Sequence, residues 1–117
     1  MLIKALKAKI HRARVTQTKL DYPGSLGVDA DILKAVGIQP YEEVLLANVN
    51  NGARVETYVI ETPPGSRDVI VLGAAAKQFS PKDVVIIMNF GYCTPEELES
   101  IKPKIVVCDE NNNIKSL

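Results

Sequence analysis

With 117 residues the chain has length for one domain and not for a second core. Hydrophobic residues at 46% and charged residues at 24% describe a globular chain and exclude a disordered one. Fourteen basic and fourteen acidic residues cancel, which removes any overall attraction to nucleic acid or to an anionic membrane surface. The charges are unevenly spread all the same: Lys4, Lys7, Lys9, Arg12, Arg14 and Lys19 all precede the first acidic residue, Asp21. His11 is the sole histidine, so a multi-histidine metal site is excluded, and Cys93 and Cys108 stand in no metal-ligand or redox spacing. There is no signal-peptide pattern and no apolar run of membrane-spanning length. A reducing cytoplasm with two buried free thiols is the expected setting. A monomer of this size leaves much apolar surface wet, so self-association is expected.

The pattern from Ala8 to Thr18 predicts a strand with Lys9 and His11 on one face and Arg12 and Arg14 on the other. Tyr22-Pro23-Gly24-Ser25 reads as a type II turn, with proline presetting the second position and glycine taking a positive φ at the third. Asp29 is placed to cap a short helix that carries Ile32, Leu33 and Val36 on one side and stops at Gly37. Val44 to Val49 is a strand, Asn50-Asn51-Gly52 a hairpin turn of the primed kind, and Arg54 to about Glu61 the returning strand. On that strand Arg54 and Tyr58 share a face, and Thr57 points the other way. After the break at Pro63-Pro64-Gly65, Val69 to Leu72 is a short strand, and Gly73-Ala74-Ala75-Ala76 opens a short helix. Val84 to Met88 is an apolar strand, and Thr94-Pro95-Glu96-Glu97 is a strong helix start that must end before Pro103. Ile105 to Cys108 makes a last strand, and Asn111 to Leu117 reads as a frayed tail. Many short strands with a few short helices predict a mainly β fold, a barrel with helical additions.

Familiar cofactor signatures are absent: no phosphate-cradling glycine loop, no dinucleotide fingerprint and no nucleophile elbow. A chain with so few catalytic side chains does simple chemistry or makes an electrophile of its own. Four short segments stand in order: Lys9-Ile10-His11-Arg12, then Tyr22-x-Gly24-Ser25, then Asn51-Gly52-x-Arg54-x-x-Thr57-Tyr58, then Gly73-Ala74-Ala75-Ala76. Together they resemble the pyruvoyl-dependent aspartate 1-decarboxylases, and the similarity runs from the first residues to about Cys108.

The resemblance implies a double-psi β-barrel that assembles as a homotetramer with active sites between subunits. It implies that Ser25 attacks the carbonyl of Gly24 and cuts the chain into residues 1–24 and 25–117. Residue 25 then becomes a pyruvoyl group, the covalent cofactor, with no metal required. Thr57 supports the oxyanion of that step. L-aspartate forms a Schiff base with the pyruvoyl group and loses its α-carboxylate. Tyr58 is the proton donor, and β-alanine leaves for pantothenate and coenzyme A synthesis. Arg54 and Lys9 take the two substrate carboxylates. His11 lines the site, and Gly73, Ala74 and Ala75 offer backbone close to the substrate. A maturation helper protein belongs to the same expectation.

One position departs from the family pattern. The family carries asparagine directly before the Gly-Ala-Ala-Ala run, where this chain has Leu72. Two other readings follow from the residues. One keeps self-processing but prefers another small acidic amino acid. The other is an unprocessed barrel acting as a DNA-binding regulator, suggested by the basic N-terminal segment. Pro64-Gly65-Ser66 repeats the Pro23-Gly24-Ser25 tripeptide and serves as an internal control, with no cleavage expected there.

Overall fold

In the computed structural model, which describes residues 1–116, nine strands form one sheet around the buried side chains. The strands are β1 (Ile3–Arg14), β2 (Gln17–Lys19), β3 (Ser25–Asp29), β4 (Glu43–Asn48), β5 (Arg54–Thr62), β6 (Val69–Leu72), β7 (Val84–Cys93), β8 (Lys104–Cys108) and β9 (Ile114–Ser116). Helix α1 (Ala30–Val36) follows β3 and helix α2 (Pro95–Ser100) follows β7, with a 3-10 turn at Ala74–Gln78. The strand order is β2-β6-β3-β5-β4-β7-β1-β8-β9. β2 stands at one edge of that order and β1 lies close to the other, yet only Val15 and Thr16 separate them in the chain. The sheet must therefore curl until its two ends meet. Thr16 N donates to Val69 O at 2.8 Å, which joins the end of β1 to the start of β6. The architecture is mainly β, and this closure agrees with the double-psi barrel expected.

The N-terminal strand differs from its sequence pattern in one instructive way. Ala8 and Ile10 are fully buried, so by simple alternation Arg12 would point into the core. Instead the pairing with β7 slips between His11 and Ala13, Arg12 takes a φ of 62°, and Ala13 becomes the buried residue. The bulge ejects a guanidinium and substitutes a methyl. Expected as one strand from Ala8 to Thr18, the segment is two, because the chain turns at Val15 and Thr16 to cross to the other end of the sheet.

β3 is buried along its whole length, flanked by β5 on one side, parallel, and β6 on the other, antiparallel. It ends on Asp29, whose carboxylate is completely buried. That carboxylate accepts backbone N–H bonds from Asp31 at 2.8 Å, Gly65 at 3.0 Å and Arg67 at 2.8 Å. It caps α1, as expected, and also fixes the loop between β5 and β6. Gly37 closes α1 with a φ of 70° and Thr94 starts α2 with a full capping box, both as the sequence indicates.

Three local expectations are corrected. Gly24 is not among the residues with positive φ, so Tyr22–Ser25 is a bend running straight into β3 and not a type II turn. In the Asn50–Gly52 turn only Gly52 is left-handed (φ 78°), which rules out the primed two-residue form. The C-terminal segment is not frayed: Ile114–Ser116 pairs with β8, and Asn112 is buried with its side chain fully engaged. Leu117 lies outside the described residues.

Removing the Asp29 carboxylate strands three backbone donors together with a helix cap. Asp29→Ala is expected to lower stability by about 3 kcal/mol or more in urea unfolding, well beyond a simple cap deletion.

Candidate active site

Ser25 is 6% exposed, whereas the residues immediately before it, from Asp21 to Gly24, are exposed. As the first residue of β3 it pairs directly with Leu72, the last of β6. Its Oγ lies 3.5 Å from the carbonyl oxygen of Pro23, the outer limit of hydrogen bonding, so the hydroxyl is turned back over the bend and held only loosely.

Beyond Leu72 the chain must turn sharply against this bend, and Gly73 allows it. Gly73 has φ 86° and ψ −156°, a backbone conformation closed to residues with a Cβ. A Cβ at that position would sit 2.6 Å from Gly24 Cα, 2.9 Å from Gly24 N and 3.0 Å from Tyr22 O. Gly73 N donates to Lys19 O at 2.9 Å, which pins the crossing. Backbone therefore packs on backbone at the Gly24–Ser25 bond. The repeat of this tripeptide is different in every respect. Gly65 has φ 81° with open space around it, and Ser66 is exposed with its Oγ 3.0 Å from that of Thr62.

Thr57 belongs to the same group. The parallel register of β3 with β5 begins at Leu26 opposite Val59, so Thr57 lies on the neighbouring strand two residues before that pairing starts. Thr57 is half-buried on the inner face of β5. Ala74 is exposed and Ala75 half-buried in the 3-10 turn that follows Gly73, so their backbone borders this group.

The basic residues lie elsewhere, on the outer face of the sheet. His11 pairs with Ile86, Ile86 with Ala47, and Ala47 with Arg54, which makes one continuous row across four strands. Lys9 stands in the next row, opposite Met88. Lys9 and Arg54 line one depression together with Ala47, Ile86 and Met88, and the small Ala47 leaves the space between the two cations. No residue of the Gly24–Ser25 bend lines it. His11 Nδ1 is buried with no hydrogen-bond partner among the described residues. Its pKa is held below the usual imidazole value, first by burial and then by the charges of Lys9 and Arg12.

Tyr58 shares the outer face with Arg54, four residues or about 13 Å along the strand. It is 38% exposed, and its ring lies 6.2 Å from that of Tyr41. Pairing of β5 with β4 runs without a break from Arg54 to Tyr58, so no bulge brings Thr57 and Tyr58 onto one side. Within one chain the ten candidate residues thus fall into two sets. Ser25, Gly24, Thr57 and Gly73 to Ala75 gather at the bend, and Lys9, His11, Arg54 and Tyr58 occupy the outer face. Tyr41, absent from the sequence reading, joins the second set. Its only sequence signal is an aromatic after Pro40 in a loop, and here it adopts a left-handed φ of 74°.

Among the described residues no group of three or more His, Cys, Asp and Glu side chains is placed to hold a metal ion. Among the described residues no helix is long and apolar enough to cross a membrane. Cys93 and Cys108 are buried and free, and burial raises the Cys108 thiol pKa.

Comparison with known proteins agrees with the motif order. Residues 1–115 match the family described as aspartate decarboxylase. An aspartate 1-decarboxylase of Listeria monocytogenes (serotype 4a, strain HCC23) is 49% identical over 96% of this chain and 88% of its own length. Those of Phenylobacterium zucineum and Coprothermobacter proteolyticus are 46% and 47% identical, covering 98% and 100% of this chain and 98% and 96% of theirs. The chain belongs to the aspartate decarboxylase family of carboxy-lyases.

Proposed function

We propose that this chain cleaves itself between Gly24 and Ser25 and then converts L-aspartate to β-alanine and carbon dioxide. The observation that carries the reading is the buried, strand-anchored Ser25, with the Gly73 backbone packed on Gly24 and no counterpart at Ser66. In the first step Ser25 Oγ adds to the Gly24 carbonyl carbon and releases its proton. The bond from that carbon to the Ser25 nitrogen breaks, leaving an ester and a free amine. Confinement of the bend supports this step by holding hydroxyl and carbonyl close. Thr57, on the strand next to β3, donates a hydrogen bond to the developing oxyanion. Loss of a proton from the Ser25 Cα then expels the Gly24 carboxylate. Water replaces the nitrogen, which leaves as ammonia, and a pyruvoyl ketone remains at the head of residues 25–117.

The ketone supplies an electrophilic carbon and a sink for the electron pair left by the departing carboxylate. The residues here fit such a group: its precursor hydroxyl is buried, and Gly73, Ala74 and Ala75 leave no bulky side chain beside it. Arg54 presents a planar fork and Lys9 a point charge to the two carboxylates of the substrate. The Tyr58 hydroxyl returns a proton to the carbon that loses carbon dioxide. Neutral His11 lines the same face. Because these residues stand on the outer face and Ser25 at the bend, the working site forms between copies of the chain, most simply in a homotetramer. The β-alanine serves pantothenate and coenzyme A synthesis in the cytoplasm, with no nucleic acid or membrane partner, and maturation proceeds either alone or with a helper protein.

A narrower reading is favoured by Leu72. It faces Ser25 across the β3–β6 ladder with an apolar side chain where the family has an amide, so it offers the reacting groups no hydrogen bond. Slow maturation or a preference for another small acidic amino acid follows from that loss. Carbon dioxide release from aspartate, glutamate and cysteine sulfinate separates the alternatives.

Ser25→Ala is expected to leave one full-length mass and no carbon dioxide release, with an unchanged circular-dichroism spectrum. Decarboxylation by that variant would end the pyruvoyl reading. Tyr58→Phe is expected to split normally in intact-mass analysis, while kcat falls by about 100-fold or more. Gly73→Ala should slow cleavage by about 100-fold, because its methyl displaces Gly24 by an ångström or so from the reactive arrangement. The split fraction against time checks it.

A further inference from the structure

At the far end of β6 from Ser25, three residue steps or about 10 Å away, the chain builds a second cavity of about 620 Å³. Arg14, Arg67 and Lys82 line it, and the single acid among its lining residues is Glu110. Three cations against this acid and the Asp29 carboxylate behind Arg67 leave an excess of one positive charge. The two arginines are 53 positions apart in sequence, yet one side chain holds both. Asn112, 2% exposed, accepts from Arg14 N at 2.7 Å and donates through Nδ2 to Arg14 O and to Arg67 O, both at 2.9 Å. Every hydrogen bond of this buried amide is spent on bringing the two arginines together.

Their guanidiniums are anchored as well. Arg14 Nη1 donates to Arg12 O and Arg67 Nε to Asn113 Oδ1, while Arg67 Nη1 stands 4.0 Å from the buried Asp29 carboxylate. Each fork keeps most of its five N–H donors for another partner. Lys82 makes no ion pair among the described residues, and its N–H donates to Val15 O at 2.7 Å. Arg67, Lys82 and Asn112 all adopt left-handed backbone (φ 61°, 78° and 60°), so three of the five non-glycine residues of this kind border one cavity. Holding like charges together in strained backbone is unfavourable unless something offsets it.

We propose that this cavity binds a phosphate monoester. Three cations and an excess of positive charge attract an anionic phosphate, and planar guanidinium forks match its oxygens. The volume exceeds what inorganic phosphate needs and lies in the range of small-molecule sites. Val15 and Pro81 give it an apolar wall for an organic substituent. Nothing in this site depends on cleavage at Gly24 or on decarboxylation, so either reading can fail alone.

Titration of the purified protein with glycerol phosphate, inorganic phosphate and succinate, followed by amide chemical shifts at matched ionic strength, tests it. The expected result is saturable shifts at Arg14, Arg67, Lys82 and Asn112, with the ester binding at least as tightly as phosphate and succinate about tenfold weaker. Lys82→Gln changes an exposed side chain and is expected to weaken the ester by about tenfold with the rest of the spectrum unchanged. Arg14→Gln should weaken it similarly. Shifts that never saturate, succinate binding as well as the ester, phosphate binding without the ester, or full affinity in Lys82→Gln would each overturn the proposal.

Discussion

Closure of the barrel rests on two residues. Val15 and Thr16 are where β1 leaves one half of the sheet and β2 joins the other, and the backbone there is bonded in both directions. Val15 N donates to Asp83 O and Val15 O accepts from Lys82 N, while Thr16 N and Oγ1 both bond to the backbone of Val69. A parallel pairing of distant strands pays for its loop entropy only when all of it forms. Here β1 pairs with β8, β2 with β6 and β3 with β5, and these three parallel pairings all depend on this crossing. The bend that carries Gly24 and Ser25 is the next turn of the chain after it. Its position against Gly73 is therefore set by the closure and not by the bend's own sequence.

The division of the candidate residues follows from the same geometry. A strand in a closed barrel has an inside and an outside, and a pair of adjacent residues cannot both face one way without a bulge. Thr57 and Tyr58 are adjacent and unbulged, so they serve different sides of the sheet. The proposed chemistry uses both, and a neighbouring copy is the source of one of them in that proposal. The outer face carries a patch of aromatic rings: Tyr58, Phe90, Tyr92 and Tyr41 are all exposed on it or beside it. Cation–π contact of Lys4 with Phe90 adds to the same patch.

Much of this was legible in the sequence where the cause is local. Asp29, Gly37 and Thr94 mark helix ends because a cap is a contact within a few residues. Alternation alone separates Thr57 from Arg54 and Tyr58. The features that escaped have distant causes. Arg12 leaves the core because of its register with β7, which no window around Arg12 contains. Asn112 is polar and flanked by asparagines, the composition of a loose end, yet its partners lie 98 and 45 positions away. Gly24 looks like the turn glycine, but the positive φ belongs to Gly73 across the fold. Sequence order alone distinguished Ser25 from Ser66 only through resemblance. Burial and the Gly73 contact supply the physical distinction.

The position of β1 has a consequence for the lifetime of the molecule. It lies between β7 and β8 and runs on into β2, which pairs with β6, so residues 1–24 are woven into the sheet and not appended to it. A cut after Gly24 releases nothing, since both new ends remain held by ladders formed before the cut. What changes is the route back after unfolding. An uncut chain refolds as one molecule, at a rate independent of concentration. Two pieces must first find each other, and the smaller one has little core of its own. A chain cut as proposed is protected by how slowly it opens and no longer by how readily it reforms.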